Sequence, residues 1–254
     1  MSGFDITVAV TAHNESVVAG PTMRSAEAAI AEAEAAGYTI ERLVGLDRPT
    51  PECAQFFGQP DLSAWSLSEH DFGDPFRVRN AIAERASGKY IAFLDADDLY
   101  SENWLAMAAR RLDEAERADE RVIVHPELNW IFESSEVVFV KPDQDSYLFN
   151  PYYLYFANYY DMLSMAPRQA LIEKPYGPRD IQNGFGYQDW QWNVETMGLG
   201  WKHVVVKDTV IFKRRRAMSV SVENVQRKAV IRAMEPLAID RVNLLKPTAS
   251  SLTT

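Results

Sequence analysis

An apolar run, Tyr90-Ile91-Ala92-Phe93-Leu94, ends in Asp95-Ala96-Asp97-Asp98, three carboxylates within four positions. Such a run reads as a buried strand that delivers acid to a rim. Like charges this close raise one another's pKa, so the cluster is costly unless a cation or solvent relieves it. Hard oxygen ligands suit Mg²⁺ or Mn²⁺, which keep one or two protein carboxylates and take their other ligands from water and substrate phosphates. The chemistry implied is the handling of a phosphate-bearing substrate. An acidic turn after a strand is the alternative for Asp-x-Asp alone, since short motifs recur by chance.

The chain that must hold these acids has 254 residues, 47% hydrophobic and 24% charged, the usual balance of a globular protein. Its length suits one large α/β domain, or one domain with appendages. A net charge of -10 excludes general attraction to nucleic acid or to anionic membranes. The single basic run, Lys213-Arg214-Arg215-Arg216, is a local exception that reads as a solvated face or as positive charge near a phosphate. Cys53 is the only cysteine, so no intrachain disulfide is expected and a reducing compartment is the natural reading. Met1 to Glu15 carries no basic leader, and Pro151 to Met162, the most aromatic stretch, is broken by Asn158 and Asp161. The expected location is the cytoplasm, with peripheral association at the inner face of the membrane as the open variant.

The flanking pattern supplies the elements. Ile6 to Val10 is a β-branched run that breaks at Thr11-Ala12-His13-Asn14-Glu15, a strand with a polar loop at its carboxyl end. Pro21 to Ala36 predicts a helix stopped by Gly37, and Leu43 to Leu46 a strand ending at Asp47, before a loop stiffened by Pro49 and Pro51. Arg77 to Ser87 predicts a helix closed by Gly88, feeding the strand that carries Asp95. Ser101 is placed to cap a helix whose apolar positions are Leu105, Ala108, Leu112 and Ala115. This alternation predicts a parallel sheet covered on both faces, with ligands beyond the strand ends where Asn14, Asp47 and Asp95 converge. Trp130 to Val140 reads as a strand pair and Val204 to Phe212 as more strand. Tyr152 to Met165 reads as an aromatic helix or loop whose tyrosines fill a core rather than an acceptor platform. After Glu235 the pattern fades into a helix and then a tail or linker, 236–254.

Together these residues resemble the GT-A fold glycosyltransferases of the family 2 type. The resemblance is carried by Val10-Thr11-Ala12-His13-Asn14-Glu15, Asp47, Arg79-Asn80, the run from Ala86 through Asp98, and Gly186-Tyr187-Gln188-Asp189-Trp190. It implies a mostly parallel central sheet flanked by helices, with a nucleotide-sugar-binding half at 1–125 and a smaller mixed acceptor-side half at 126–235. It implies a nucleotide-diphosphate sugar, a UDP-sugar slightly favoured, held by Thr11, Asn14, Glu15, Asp47, Arg79, Asn80, Asp95 and Ala96. It also implies Mn²⁺ or Mg²⁺ on Asp97 with Asp98 as second ligand, and Asp189 as the base that deprotonates an acceptor hydroxyl in inverting transfer. The acceptor would be a glycan or lipid-linked glycan of cell-surface polysaccharide synthesis.

Departures from that pattern are specific. Pro75 or Phe76 stands where the family has glycine, and Gln188 stands where it has Glu. An amide cannot act as base, so Gln188 is left to hydrogen-bond a sugar hydroxyl. Trp190 reads as packing on a sugar face or as a structural residue, and Arg215 with Ser219 matches a diphosphate-side pair. His203, flanked by valines, reads as a packed strand residue and stays outside the metal set. Two rivals are a non-catalytic nucleotide-sugar or glycan-binding module and a haloacid-dehalogenase-like phosphatase. The phosphatase motif lies on the first strand and is followed by Thr or Val, unlike Leu99 here.

Overall fold

The computed structural model describes residues 3–216 and 220–247, so Ser219 and the terminal 248–254 lie outside the described residues. The first half winds β1 (Ile6–Ala12), α1 (Ala19–Ala35), β2 (Ile40–Asp47), α2 (Pro51–Phe57), β3 (Ser66–His70), α3 (Pro75–Arg85) and β4 (Tyr90–Asp95). Their strands pair in parallel in the order β3-β2-β1-β4. β1 and β4 are buried on both faces: Ile6, Val8, Val10, Ala92 and Leu94 are each 0% exposed. Continuous burial on both faces is what a helix-covered parallel sheet requires. It brings the carboxyl ends of β1, β2 and β4 to one rim.

Local chemistry shifts several expected boundaries. Gly37 stands just past α1 with φ of 96°, the left-handed stop that the sequence predicts. Pro51 starts α2 instead of stiffening a loop, with Thr50 accepting from the Cys53 N–H as its cap. α3 begins at Pro75, capped by the Asp74 carboxylate on the Phe76 N–H, which explains why proline replaces glycine there. It ends before Gly88, whose lack of a side chain serves another purpose. A Cβ on Gly88 would lie 2.5 Å from Thr7 N, so glycine is needed for the chain to enter β4 against β1. Ser101 does not cap the following helix, because its hydroxyl is engaged by Val210 N and Asn103.

After β4 the chain makes the acidic turn and runs through β5 (Leu99–Tyr100), α4 (Trp104–Arg117), β6 (Val122–Glu133), β7 (Val137–Val140), β8 (Met165–Pro167), α5 (Arg168–Glu173), α6 (Gln188–Gly198), β9 (Lys202–Arg215) and α7 (Val220–Gln226). The sheet continues as β4-β8-β6-β9-β5, with β7 on β6, and here the pairing is mixed. α4 buries Leu105, Ala108, Leu112 and Ala115 as expected. The β6–β7 pair matches the predicted hairpin, although β6 starts eight positions earlier in the number line, at Val122. The aromatic stretch departs from expectation: Tyr152, Tyr153, Tyr155 and Phe156 are exposed, and Tyr160 alone of the six is fully enclosed. Residues beyond Glu235 form two short turns rather than a long helix, and Val242 and Leu245 are buried against Trp190 and Val194.

The decisive pairing is β5 on β9, with Leu99 opposite Phe212 and Tyr100 opposite Ile211. It lays the basic end of β9 across the acidic turn.

Candidate active site

Each acid of the turn has a basic partner. Asp95 pairs with Arg79 and accepts from the Thr11 hydroxyl at 2.9 Å. Asp97 pairs with Arg216 at 2.6 Å, and Arg216 also pairs with Glu15 at 3.0 Å. Asp98, almost wholly buried, accepts from the Arg214 N–H at 2.8 Å and faces Lys213 Nζ at 3.5 Å. Burial pushes both the Asp97 and Asp98 carboxyls up, their neighbouring acids push the same way, and the basic partners oppose it. Lys213 continues to Asp161 at 3.7 Å, which in turn faces Lys141 at 3.6 Å. Burial works against the Lys213 ammonium, but Asp161, Asp98, Asp95 and Asp189 together raise its pKa. Lys141 is enclosed more tightly, and burial brings its pKa down to about 8 against the pull of Asp161.

The loops that frame the rim are held from within. Asp47 accepts from the N–H groups of Phe72, Gly73 and Asp74 at 2.8, 3.1 and 2.8 Å, so both its oxygens organise the loop ahead of α3. Phe72 from that loop stacks on His70 and lies under Arg77, which gives the rim a flat aromatic and cationic wall. Glu15 accepts from the N–H groups of His13 and Asn14 at 2.6 and 2.9 Å, closing the loop after β1. Asn14 is exposed there. Asn80 is paired reciprocally with the backbone of Tyr176, and Ala96 is buried with its backbone bonded to Thr11 and Thr22. Of the expected nucleotide-side residues, Thr11, Glu15, Arg79 and Asp95 join the acidic turn. Ala96 lies within the turn, whereas Asp47 organises the loop ahead of α3 and Asn80 holds the Tyr176 backbone.

Across Lys213 lies the start of α6. Tyr187, at φ 59°, turns the chain so that Gln188 and Asp189 open the helix. Burial pushes the Asp189 carboxyl up, the Trp190 N–H draws it back, and Asp161 adds a further push. Asn158 reaches Asp189 Oδ2 at 3.5 Å. A carboxylate with a raised pKa is better matched to accepting a proton near neutrality. Gln188 is 1% exposed and neither of its amide atoms has a partner, a costly state that a ligand hydroxyl or water would relieve. Trp190 proves structural: it is buried and donates to Leu154 O at 3.1 Å. His203 is also internal, bonded to Thr196 and to His125, and burial lowers its pKa to about 3.

Among the described residues no group of three His, Cys, Asp or Glu side chains is arranged to hold a metal ion. A single carboxylate completed by water and diphosphate oxygens is nevertheless how Mg²⁺ is commonly kept. Asp97, partly exposed at the rim, fits that role. Asp98, expected as second ligand, instead has one oxygen on a backbone N–H and the other toward Lys213 in a closed setting. Among the described residues Arg215 makes no ion pair to the turn, unlike Lys213 and Arg216. Lys213 and Arg216 belong to the basic run that the sequence places near a phosphate, whereas Asp161 and Lys141 join this network without having been named as site residues. The last two carried a signal, a lone charge inside an apolar or aromatic run, as in Tyr160-Asp161-Met162 and Val138-Phe139-Val140-Lys141.

The family model described as Glycosyl transferase family 2 matches residues 7–159. No curated protein matches the chain. Among solved structures it is similar to S. aureus TarS 1-349 in complex with UDP-GlcNAc, at 16% identity and a TM-score of 0.60, over 85% of this chain and 60% of that one. The same TarS piece in complex with UDP gives 15% identity and 0.59, over 83% and 60%. The longer S. aureus TarS chain gives 14% identity and 0.57, over 83% of this chain and 37% of that one. The chain thus spans about three fifths of the shorter TarS structures and just over a third of the longer one. At this identity the likeness concerns the fold.

Proposed function

The chain belongs to glycosyl transferase family 2, and on that premise we propose that it transfers a sugar from a nucleoside-diphosphate donor to a hydroxyl of a glycan or lipid-linked glycan, with inversion. The observation that carries this reading is the meeting of two chemistries across one lysine. Lys213 faces the acidic turn at Asp98 and, on its other side, Asp161 beside the Asp189 end of α6. In a single displacement the acceptor oxygen attacks the anomeric carbon while Asp189 takes its proton. The bond from that carbon to the diphosphate breaks, and the electron pair leaves on the diphosphate oxygen. One base suffices, so no second carboxylate nucleophile is required.

Residues of the rim take matching roles. The His13–Glu15 loop and the Phe72–Asp74 loop held by Asp47 are the nucleotide side, and Arg79 through Asp95 positions the donor. Mn²⁺ or Mg²⁺ on Asp97 would supply charge neutralisation for the leaving diphosphate. A uridine nucleotide is favoured because the TarS structures hold UDP-GlcNAc and UDP. Exposed Tyr152, Tyr153 and Phe156, on the segment that reaches Asp189 through Asn158, suit the flat faces of an acceptor sugar. Residues 1–235 form the transferase unit in this reading, with 236–254 as a tail or linker, and no described helix is long and apolar enough to cross a membrane.

Calorimetric titration of UDP, GDP and dTDP, with and without Mn²⁺, tests the proposal. One nucleotide should bind in a metal-dependent way and lose that dependence in Asp97→Ala. Failure of all three to bind under either condition would remove the transferase reading.

A further inference from the structure

Arg216 serves two carboxylates with one amino group: Nη2 lies 3.0 Å from Glu15 Oε1 and 2.6 Å from Asp97 Oδ2. Its Nε is buried and has no hydrogen-bond partner. A guanidinium is a planar fork that binds a carboxylate or phosphate through two parallel donors, and here, among the described residues, both ion pairs are made by Nη2 alone. Because Glu15 Oε2 holds the His13 and Asn14 N–H groups, Arg216 ties the loop after β1 to the acidic turn.

The three ion pairs of the turn are not equivalent. Arg79 and Asp95 are 3% and 32% exposed, and Lys213 and Asp98 are 24% and 4% exposed. Arg216 and Asp97 keep 32% and 14%, so Arg216 is the most exposed of the three cations. Glu15 and Asp97 share the single Arg216 guanidinium. A divalent cation added at Asp97 with Arg216 in place would set two cations on one carboxylate. The cation together with a diphosphate brings a new anion to which Arg216 can move. Mg²⁺ also demands a near-ideal octahedral shell, which a guanidinium seated on the same carboxylate obstructs.

We propose that Arg216 is an exchangeable counter-cation: it neutralises Asp97 and Glu15 until a divalent cation takes its place at Asp97, and the released fork then grips an anionic oxygen pair of the donor diphosphate. This rests on the family 2 reading of the site, and it deepens that reading by giving one member of the basic run, Arg216, a specific role. The exchange couples donor and metal, because either one alone leaves a charge without a partner.

The test uses the full chain and Mn²⁺ alone, with free Mn²⁺ followed by electron paramagnetic resonance. Arg216→Gln should bind Mn²⁺ about tenfold more tightly than the parent, the effect of removing one direct competitor. Arg215→Gln, which removes the same charge one position away, should change affinity by less than about threefold. Adding Asp97→Asn to Arg216→Gln should abolish the gain. With UDP and Mn²⁺ together the order reverses, and Arg216→Gln should bind the nucleotide about tenfold more weakly. Should Arg216→Gln fold poorly by circular dichroism, Arg216→Met, which also removes the competing cation while keeping an apolar stem, should raise Mn²⁺ affinity by a similar factor of about ten. Unchanged or weaker Mn²⁺ binding in the Arg216 variants, or an equal gain in Arg215→Gln, overturns the exchange. Because this arm contains no nucleotide, its outcome is independent of whether the donor reading holds.

Discussion

Lys213 Nζ lies 3.5 Å from Asp98 Oδ2, although one residue closes the acidic turn and the other sits near the end of the last long strand. The pair exists because β5 and β9 run antiparallel, and it gives a buried carboxylate its counter-ion. Removing one member of such a pair leaves an uncompensated charge, which costs about 3 kcal/mol or more. Lys213→Met should therefore lower unfolding free energy by that order in urea titration. The double variant with Asp98→Leu should recover most of the loss, and equal stability of Lys213→Met and parent would show the pair to be dispensable.

Asp47 determines the shape of the nucleotide-side rim through the Phe72, Gly73 and Asp74 N–H groups. Asp47→Ala strands three donors and frees the loop that caps α3, a loss of about 2 kcal/mol. Nucleotide affinity should fall about tenfold alongside it. Calorimetry on a sample shown to be folded checks this, and full affinity in the variant would mean that the loop does not line the donor site.

Asp189→Asn keeps the shape of the side chain and removes its basicity. In the proposed mechanism kcat should drop by about 10³ while nucleotide binding stays near the parent value. A variant that loses binding and turnover together would make Asp189 a structural cap of α6 instead.

The pair of buried histidines predicts an acid effect on stability. Thr196 donates to Trp192 O at 2.7 Å, so it accepts from His203 Nε2–H, and His203 Nδ1 accepts from His125 Nε2–H. Both rings stay neutral in the fold: burial holds His125 well below its ordinary value and His203 at about 3. The unfolded chain binds these protons first, near pH 6.5, so stability present above that pH is lost as pH falls from 6.5 toward 3. The slope is at most about 1.4 kcal/mol per pH unit for each histidine. His203→Gln should show a shallower decline in urea midpoint between those limits, and parallel declines would count against the assignment.

Much of the first half was legible in the chain itself. Strands such as Ile6–Ala12 and Tyr90–Asp95 are continuous apolar runs that only a doubly covered sheet accommodates, and Gly37 ends α1 where its left-handed φ demands glycine. Polar residues at the ends of those runs had to share a rim, so Asn14, Asp47 and Asp95 could be placed there from position, whereas Thr11, Glu15 and Arg79 were named through the resemblance to family 2 glycosyltransferases. The aromatic segment was not legible in this way, because density of tyrosine does not say which rings face water.

What the amino-acid sequence determined alone is the local matter: the period of each element, its caps, and the acids that follow a buried strand. Only the tertiary structure decided which charges answer those acids. Lys213 lies on β9 and Arg216 just past its end, Asp161 and Lys141 lie in the segment between β7 and β8, and their pairing depends on a sheet order that no local pattern encodes. The physical reason is that apolar periodicity is read over a few residues, whereas a buried charge is stabilised by whichever opposite charge the folded chain brings within a few ångströms.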